Sequence, residues 1–104
     1  GAICVVDTGY KTLGIGSEIV SQIFESCFNE IKLSPIRIGM PDHPTPSSKG
    51  YIPGLYPDAE KIVMSICKSL NLSEEKIKKV LVYLKENSDN LPIDIPDPLF
   101  QGPF

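Results

Sequence analysis

The chain has little from which to build a catalytic centre. Among its 104 residues there is one histidine, there are three cysteines, and no apolar run approaches the roughly 20 residues a membrane-spanning helix needs. The single histidine, His43, has no second nucleophile or metal-ligand group beside it in sequence. Neither a nucleophile–base pair nor a metal cluster is therefore written in the chain. Cys4, Cys27 and Cys67 are odd in number, far apart and set among apolar neighbours. That pattern is neither a disulfide framework nor a zinc-type spacing. All three are expected to be buried, reduced and to act as small hydrophobes, which points to a reducing compartment, the cytoplasm or an organelle matrix. Cations are outnumbered, ten Lys and Arg against thirteen Asp and Glu, for a net charge of −3. A nucleic-acid partner would need a basic face, so none is expected. Nothing basic precedes an apolar stretch, so neither a secretory leader nor a membrane partner is expected. Internal repeats and low-complexity tracts are also missing.

What remains is an ordinary globular composition, 41% hydrophobic and 22% charged, in a length that suits one small domain. Its centre of organisation is the stretch from Val5 to Ile19. Ala2 to Val6 is an uninterrupted apolar run and reads as a strand buried on both faces, as in parallel sheets. A polar, glycine-bearing loop from Asp7 follows. Ser17 is a plausible N-cap, and Glu18 suits the positive end of a helix dipole. From Ile19 through Val20, Ile23, Phe24, Cys27 and Phe28 to Ile31 the apolar residues keep the helical period. Strand, loop and helix N-terminus in sequence are the unit of an open α/β sheet, whose functional groups gather at the carboxyl ends of the strands.

Leu33-Ser34-Pro35 breaks the helix, and Ile36 to Met40 reads as a second strand, parallel to the first through a right-handed crossover. Pro41 to Tyr51 is too rich in proline for a helix or a central strand. It leaves the second strand at the same edge as the glycine loop. Pro57 suits the first turn of a helix carrying Ala59, Ile62, Val63, Ile66, Cys67 and Leu70 and ending near Asn71. Ser73 opens a last helix, with Glu75 and Lys79 placed four apart and a narrow stripe of Ile77, Val80, Leu81 and Leu84. Residues 1–90 form the domain. Residues 91–104 form an extended, proline-rich but apolar tail, composed to lie against a surface rather than to be a polar linker.

The chemistry-bearing candidates are few. Gly14, Gly16 and Ser17 resemble half of a phosphate-cradling loop, without the third glycine of a dinucleotide fingerprint or the Lys-Ser/Thr of a P-loop. Glu18 stands where an anion would bind, so a tight turn and close helix–strand packing is the plainer role. Asp42 and His43 sit on a proline-stiffened loop at the same edge and suit a ligand-side or interface contact. Asp7 suits a loop cap. No residue is assigned to catalysis, cofactor or metal.

Taken in order, several segments resemble one family. They are Val5-Val6-Asp7-Thr8-Gly9-Tyr10-Lys11-Thr12-Leu13-Gly14-Ile15-Gly16-Ser17-Glu18-Ile19, then Gln22 to Phe28, Ile38-Gly39-Met40-Pro41-Asp42-His43-Pro44-Thr45-Pro46, Tyr56-Pro57, and the closing Asp94 to Phe104. The chain resembles the C-terminal domain of transketolase-like thiamine-diphosphate enzymes. It is most similar to the β subunit of the decarboxylating component of 2-oxo acid dehydrogenase complexes. The resemblance implies a three-layer, mainly parallel open sheet with helices on its faces, here lacking the family's first strand and helix and so a truncated copy. It implies a parent oxidoreductase that decarboxylates a 2-oxo acid using thiamine diphosphate and magnesium held by other domains, so that this chain alone has no activity. The implied partners are an α subunit, a second β subunit and a lipoyl-bearing acyltransferase complex. Gly14, Gly16, Ser17, Asp42 and His43 would lie at the active-site rim, and Ile95, Phe100 and Phe104 at a subunit interface. The competing assignments are a transketolase or deoxyxylulose-phosphate synthase type of enzyme and a stand-alone anion- or protein-binding module.

Overall fold

A computed structural model of the chain describes residues 1–48, 54–88, 99 and 102. The tail boundary at residue 91 and the proposed contacts of Ile95, Phe100 and Phe104 lie outside the described residues.

Strand β1 spans Cys4–Tyr10, helix α1 Ile15–Cys27, and a single 3-10 turn Phe28–Glu30 follows. Strand β2 is Ile36–Met40, helix α2 Ala59–Ser69 and helix α3 Glu74–Glu86. The strands pair in parallel, with Cys4 opposite Ile36, Val6 opposite Ile38 and Tyr10 opposite Met40. Between Val6 and Tyr10 β1 advances four residues while β2 advances two. That surplus is a bulge, and it is made by the polar residues expected to form a loop. The Asp7 carboxylate accepts the Gly9 N–H at 3.1 Å, a local bond that competes with the ladder. The strand is resumed when Lys11 N–H donates to the Met40 carbonyl at 2.9 Å. The bulge presses on β2, where a Cβ on Gly39 would lie 3.0–3.2 Å from backbone atoms of Gly9 and Lys11.

The layers follow from strand alternation. Val5 approaches α1, its Cγ1 3.4 Å from where a Cβ on Gly16 would sit, and Arg37, paired with Val5, reaches Ser17 of α1. Ile36, Ile38 and Met40 therefore point to the opposite face. There α2 packs on β2, and Ile38 and Met40 are 6% and 5% exposed. Helix, sheet and helix make three layers, with α3 against α2. The same face above β1 is open. Cys4 is exposed and Val6 is 44% exposed. The expected burial of this strand on both faces, and of Cys4 and Cys27, is thus corrected. An apolar run encodes a preference for burial, but cover must come from another element, and among the described residues none lies over Cys4. Cys27, at the exposed end of α1, is uncovered too, and only Cys67 is buried.

Two helix boundaries also differ from the expectation. Gly14, not Ser17, is the N-cap of α1, and Ser17 lies in the first turn. Asp58 caps α2, its carboxylate accepting Lys61 N–H at 2.7 Å, so Pro57 precedes the cap. At the far end Asn71 has φ +52°, its N–H donates to the Lys68 carbonyl, and Leu72 N–H donates to that of Cys67. These paired bonds around a left-handed residue are a Schellman stop. Ser73 is the N-cap of α3 through its backbone, without a side-chain bond.

Candidate functional site

The loops at the carboxyl ends of β1 and β2 meet. Tyr10, Thr12 and Leu13 come from the first, Asp42, His43 and Pro44 from the second, and together they line a shallow cavity of about 480 Å³. Thr12 Oγ1 donates to Asp42 Oδ2 at 2.7 Å and ties the loops together. The second loop is held locally as well. His43 N–H donates to the Pro41 carbonyl at 2.7 Å, and the His43 ring Nδ1 lies 2.7 Å from the Pro44 carbonyl. A carbonyl only accepts, so Nδ1 carries the proton in that bond. In the neutral ring Nε2 is then an acceptor.

Leu13 stands out at this edge. It is 98% exposed and has φ +56°, a left-handed backbone that a branched side chain adopts at a cost. The conformation is imposed by the turn into α1. Gly14 must follow closely, and a Cβ there would collide with the Tyr10 carbonyl oxygen.

The other expected rim residues go elsewhere. Gly16 packs over Val5, with room for a Cβ at ordinary contact distance. Ser17 Oγ accepts a hydrogen bond from Arg37 Nη1, which also donates to the Lys11 carbonyl at 3.1 Å. Ser17 faces a second, open hollow of about 440 Å³ with Val20, Phe24 and Arg37. Asp42 and His43 thus share one cavity, while Gly16 and Ser17 belong to the helix–strand seam. The Glu18 carboxylate, in the first turn of α1, accepts from Gln22 at 3.0 Å. The Glu18 carboxylate in the first turn opposes an anion at this helix start.

Thr12, Leu13 and Arg37 were not singled out from sequence. Arg37 had a signal, a lone charge inside a five-residue apolar strand. Leu13 had a weaker one, a large apolar residue inside a polar loop.

The chain has a counterpart among known protein families. Residues 1–62 match the family described as transketolase, C-terminal domain. The chain belongs to this family. It is also 36% identical over 69 residues to the mitochondrial pyruvate dehydrogenase E1 component subunit beta of Caenorhabditis elegans. That match covers 65% of this chain and 20% of the relative, so the chain spans about a fifth of the length of the curated relative it matches. No solved structure matches the chain. Membership of the transketolase C-terminal family accounts for the parallel sheet and its flanking helices. Among the described residues no helix is long and apolar enough to cross a membrane.

Proposed function

We propose that the chain is the C-terminal domain of the β subunit of a thiamine-diphosphate-dependent 2-oxo acid dehydrogenase. In that role it assembles subunits and shapes the active-site rim. The observation that carries this reading is the 36% identity over 69 residues to a pyruvate dehydrogenase β subunit. The same likeness favours this type over a transketolase or deoxyxylulose-phosphate synthase type. An anion-binding module is disfavoured by Glu18 in the first turn of α1.

The described residues do not suit thiamine diphosphate with magnesium. None of their His, Cys, Asp and Glu side chains form a group of three or more able to hold a metal ion, and the one glycine-flanked helix start is acidic. In this reading other domains of the parent hold the cofactor and do the carbanion chemistry, and this chain alone is inactive. What its residues supply is position. Thr12 and Asp42 lock two loops at one edge, and His43 and Leu13 present a polar and an apolar group beyond them. Ile95, Phe100 and Phe104 supply apolar contact to a neighbouring subunit, an α subunit or a second β subunit, within a complex whose acyltransferase carries the lipoyl group. Such an enzyme would work in an organelle matrix or in the cytoplasm.

The test is the parent β subunit expressed with its α partner. Phe100→Ala with Phe104→Ala should shift the mixed oligomer toward free subunits by light scattering. Asp42→Ala with His43→Ala should leave assembly intact and raise KM for the 2-oxo acid or lower kcat. Unchanged assembly and unchanged kinetics in both variants would sink the reading.

A further inference from the structure

This acidic chain keeps one hollow free of acid. The hollow measures about 660 Å³, within the roughly 300–1,000 Å³ of small-molecule sites. Its floor is β2, and its wall is the face of α2 that carries Lys61, Ser65, Lys68 and Ser69. Those four fall at i, i+4, i+7 and i+8, the spacing of one helix face, so α2 turns a polar stripe to the hollow. Lys11, whose N–H donates to the Met40 carbonyl, stands at the carboxyl end of β2 and closes one end. No described residue that lines the hollow is acidic, although the chain holds thirteen Asp and Glu against ten Lys and Arg. Glu60, next to Lys61, stands about 100° away around the helix and does not line it. Asp42, next to Pro41, is tied to Thr12.

The lysines here are unspent. Among the described residues Lys79 pairs with Glu75 on α3, and no ion pair engages Lys11, Lys61 or Lys68. Three like charges around one hollow repel one another, and an anion between them relieves that repulsion. Arg37 lines the hollow too, but its Nη1 is already engaged by Ser17 Oγ and the Lys11 carbonyl. The fork that would grip a carboxylate at two points is therefore committed elsewhere. What is left is a set of compact point charges, with the Ser34 and Ser69 hydroxyls as further donors. The Ser65 hydroxyl is spent on the Lys61 carbonyl at 2.7 Å. Such donors suit phosphoryl oxygens. A phosphoryl group carries about −1.5 to −2 charges at neutral pH, so three ammonium groups match two or three linked phosphoryl groups better than one. Seven residues of helix also separate Lys61 from Lys68, about 10 Å along the axis, more than a single phosphate spans. The floor is apolar, with Pro35 and Pro41 at its two ends, and offers an uncharged body a place to lie.

We propose that this hollow binds a small oligophosphate anion, a diphosphate or triphosphate group either alone or on an organic body. Lys11, Lys61 and Lys68 hold its charge, and Ser34 and Ser69 donate to its oxygens. With no carboxylate in the lining to share a magnesium ion, the anion is taken up free of metal. The site is separate from the start of α1, where Glu18 opposes an anion, and shares no residue with the cavity of Asp42 and His43. It goes beyond the assembly reading and does not depend on it.

The experiment is a titration of the full chain at fixed ionic strength, read by calorimetry and amide NMR, with circular dichroism to check that each variant is folded. The probes are magnesium-free tripolyphosphate, pyrophosphate, inorganic phosphate and ATP. Tripolyphosphate should saturate one site, bind at least about tenfold more tightly than inorganic phosphate, and shift the amides of Ile36, Lys61, Ser65 and Ser69. Lys61→Gln with Lys68→Gln should weaken it about tenfold or more, and Lys61→Arg with Lys68→Arg should not. Lys78→Gln with Lys85→Gln, the same loss of charge placed on α3, should leave binding unchanged. ATP tighter than tripolyphosphate supports an organic ester lying on the apolar floor, and equal affinity supports the inorganic chain. Absence of saturable binding would overturn the proposal. So would equal weakening by the two glutamine pairs, the mark of diffuse attraction, or amide shifts centred on Gly14 to Ser17. A hexaglutamate peptide binding more tightly than tripolyphosphate would overturn it as well and assign the hollow to an acidic protein segment. None of these results touches the Phe100 and Phe104 assembly outcome, so the two readings stand or fall separately.

Discussion

At the scale of single residues, neighbours decide what each glycine in the central turn is for. Gly14 and Gly16 look alike in sequence, two residues apart before a helix. Space separates them. A Cβ on Gly14 would run into the Tyr10 carbonyl, a backbone atom that cannot swing aside, whereas one on Gly16 would meet the Val5 side chain at 3.4 Å, an ordinary contact. Gly14→Ala should therefore destabilise the chain by about 3 kcal/mol. Gly16→Ala should be neutral, or stabilise by up to about 1 kcal/mol through helix propensity. Urea titrations of the two variants check the contrast, and equal losses would show that the turn does not close as described. Arg37 teaches the same lesson from the other side. A charge in an apolar strand is tolerated because two acceptors, Ser17 Oγ and the Lys11 carbonyl, converge on its guanidinium.

At the scale of elements, helix ends are where local chemistry can be checked. Asp58 and Ser73 are both N-caps of types favoured there. Only the Asp58 side chain makes the capping bond, to Lys61 N–H at 2.7 Å. Asp58→Ala should cost about 1 kcal/mol, and Ser73→Ala less than about half of that. Thermal melts followed by circular dichroism distinguish the two, and equal shifts would contradict the assigned caps. The surface helix α3 was legible in outline. Glu75 and Lys79 pair at 3.7 Å, and Ile77, Leu81 and Leu84 are its half-buried positions. Val80, assigned to the same stripe from spacing, is exposed, because a helix resting on one neighbour buries a narrower face than its apolar pattern allows. β1 was legible as a strand but not in length. The apolar run ends at Val6, and the bulge that carries the strand on to Tyr10 depends on hydrogen bonds to β2 that no local pattern announces.

At the scale of the molecule, the described residues leave one sheet face partly open. Cys4 and Cys27 are exposed and Cys67 is buried. In native buffer two thiols should react with a disulfide reagent within minutes and the third only on unfolding. One fast thiol or three would show a different cover over the sheet. The chain spans about a fifth of the length of the curated relative it matches.

The sequence by itself determined the elements and their order. Apolar periodicity, prolines and cap residues act over a few neighbouring positions, so strand–helix–strand–helix–helix and the parallel pairing could be read from them. It also placed Asp42 and His43 at the same edge as the glycine turn, because consecutive elements in such a sheet leave their loops at one side. Only the tertiary structure decided which residues share a site. Thr12 and Asp42 are thirty residues apart, and Ser17 and Arg37 twenty. Whether two such side chains meet depends on strand register, bulge and helix seating together, which are set by long-range packing. Burial was decided there too, since an apolar side chain states a preference and only another element can satisfy it.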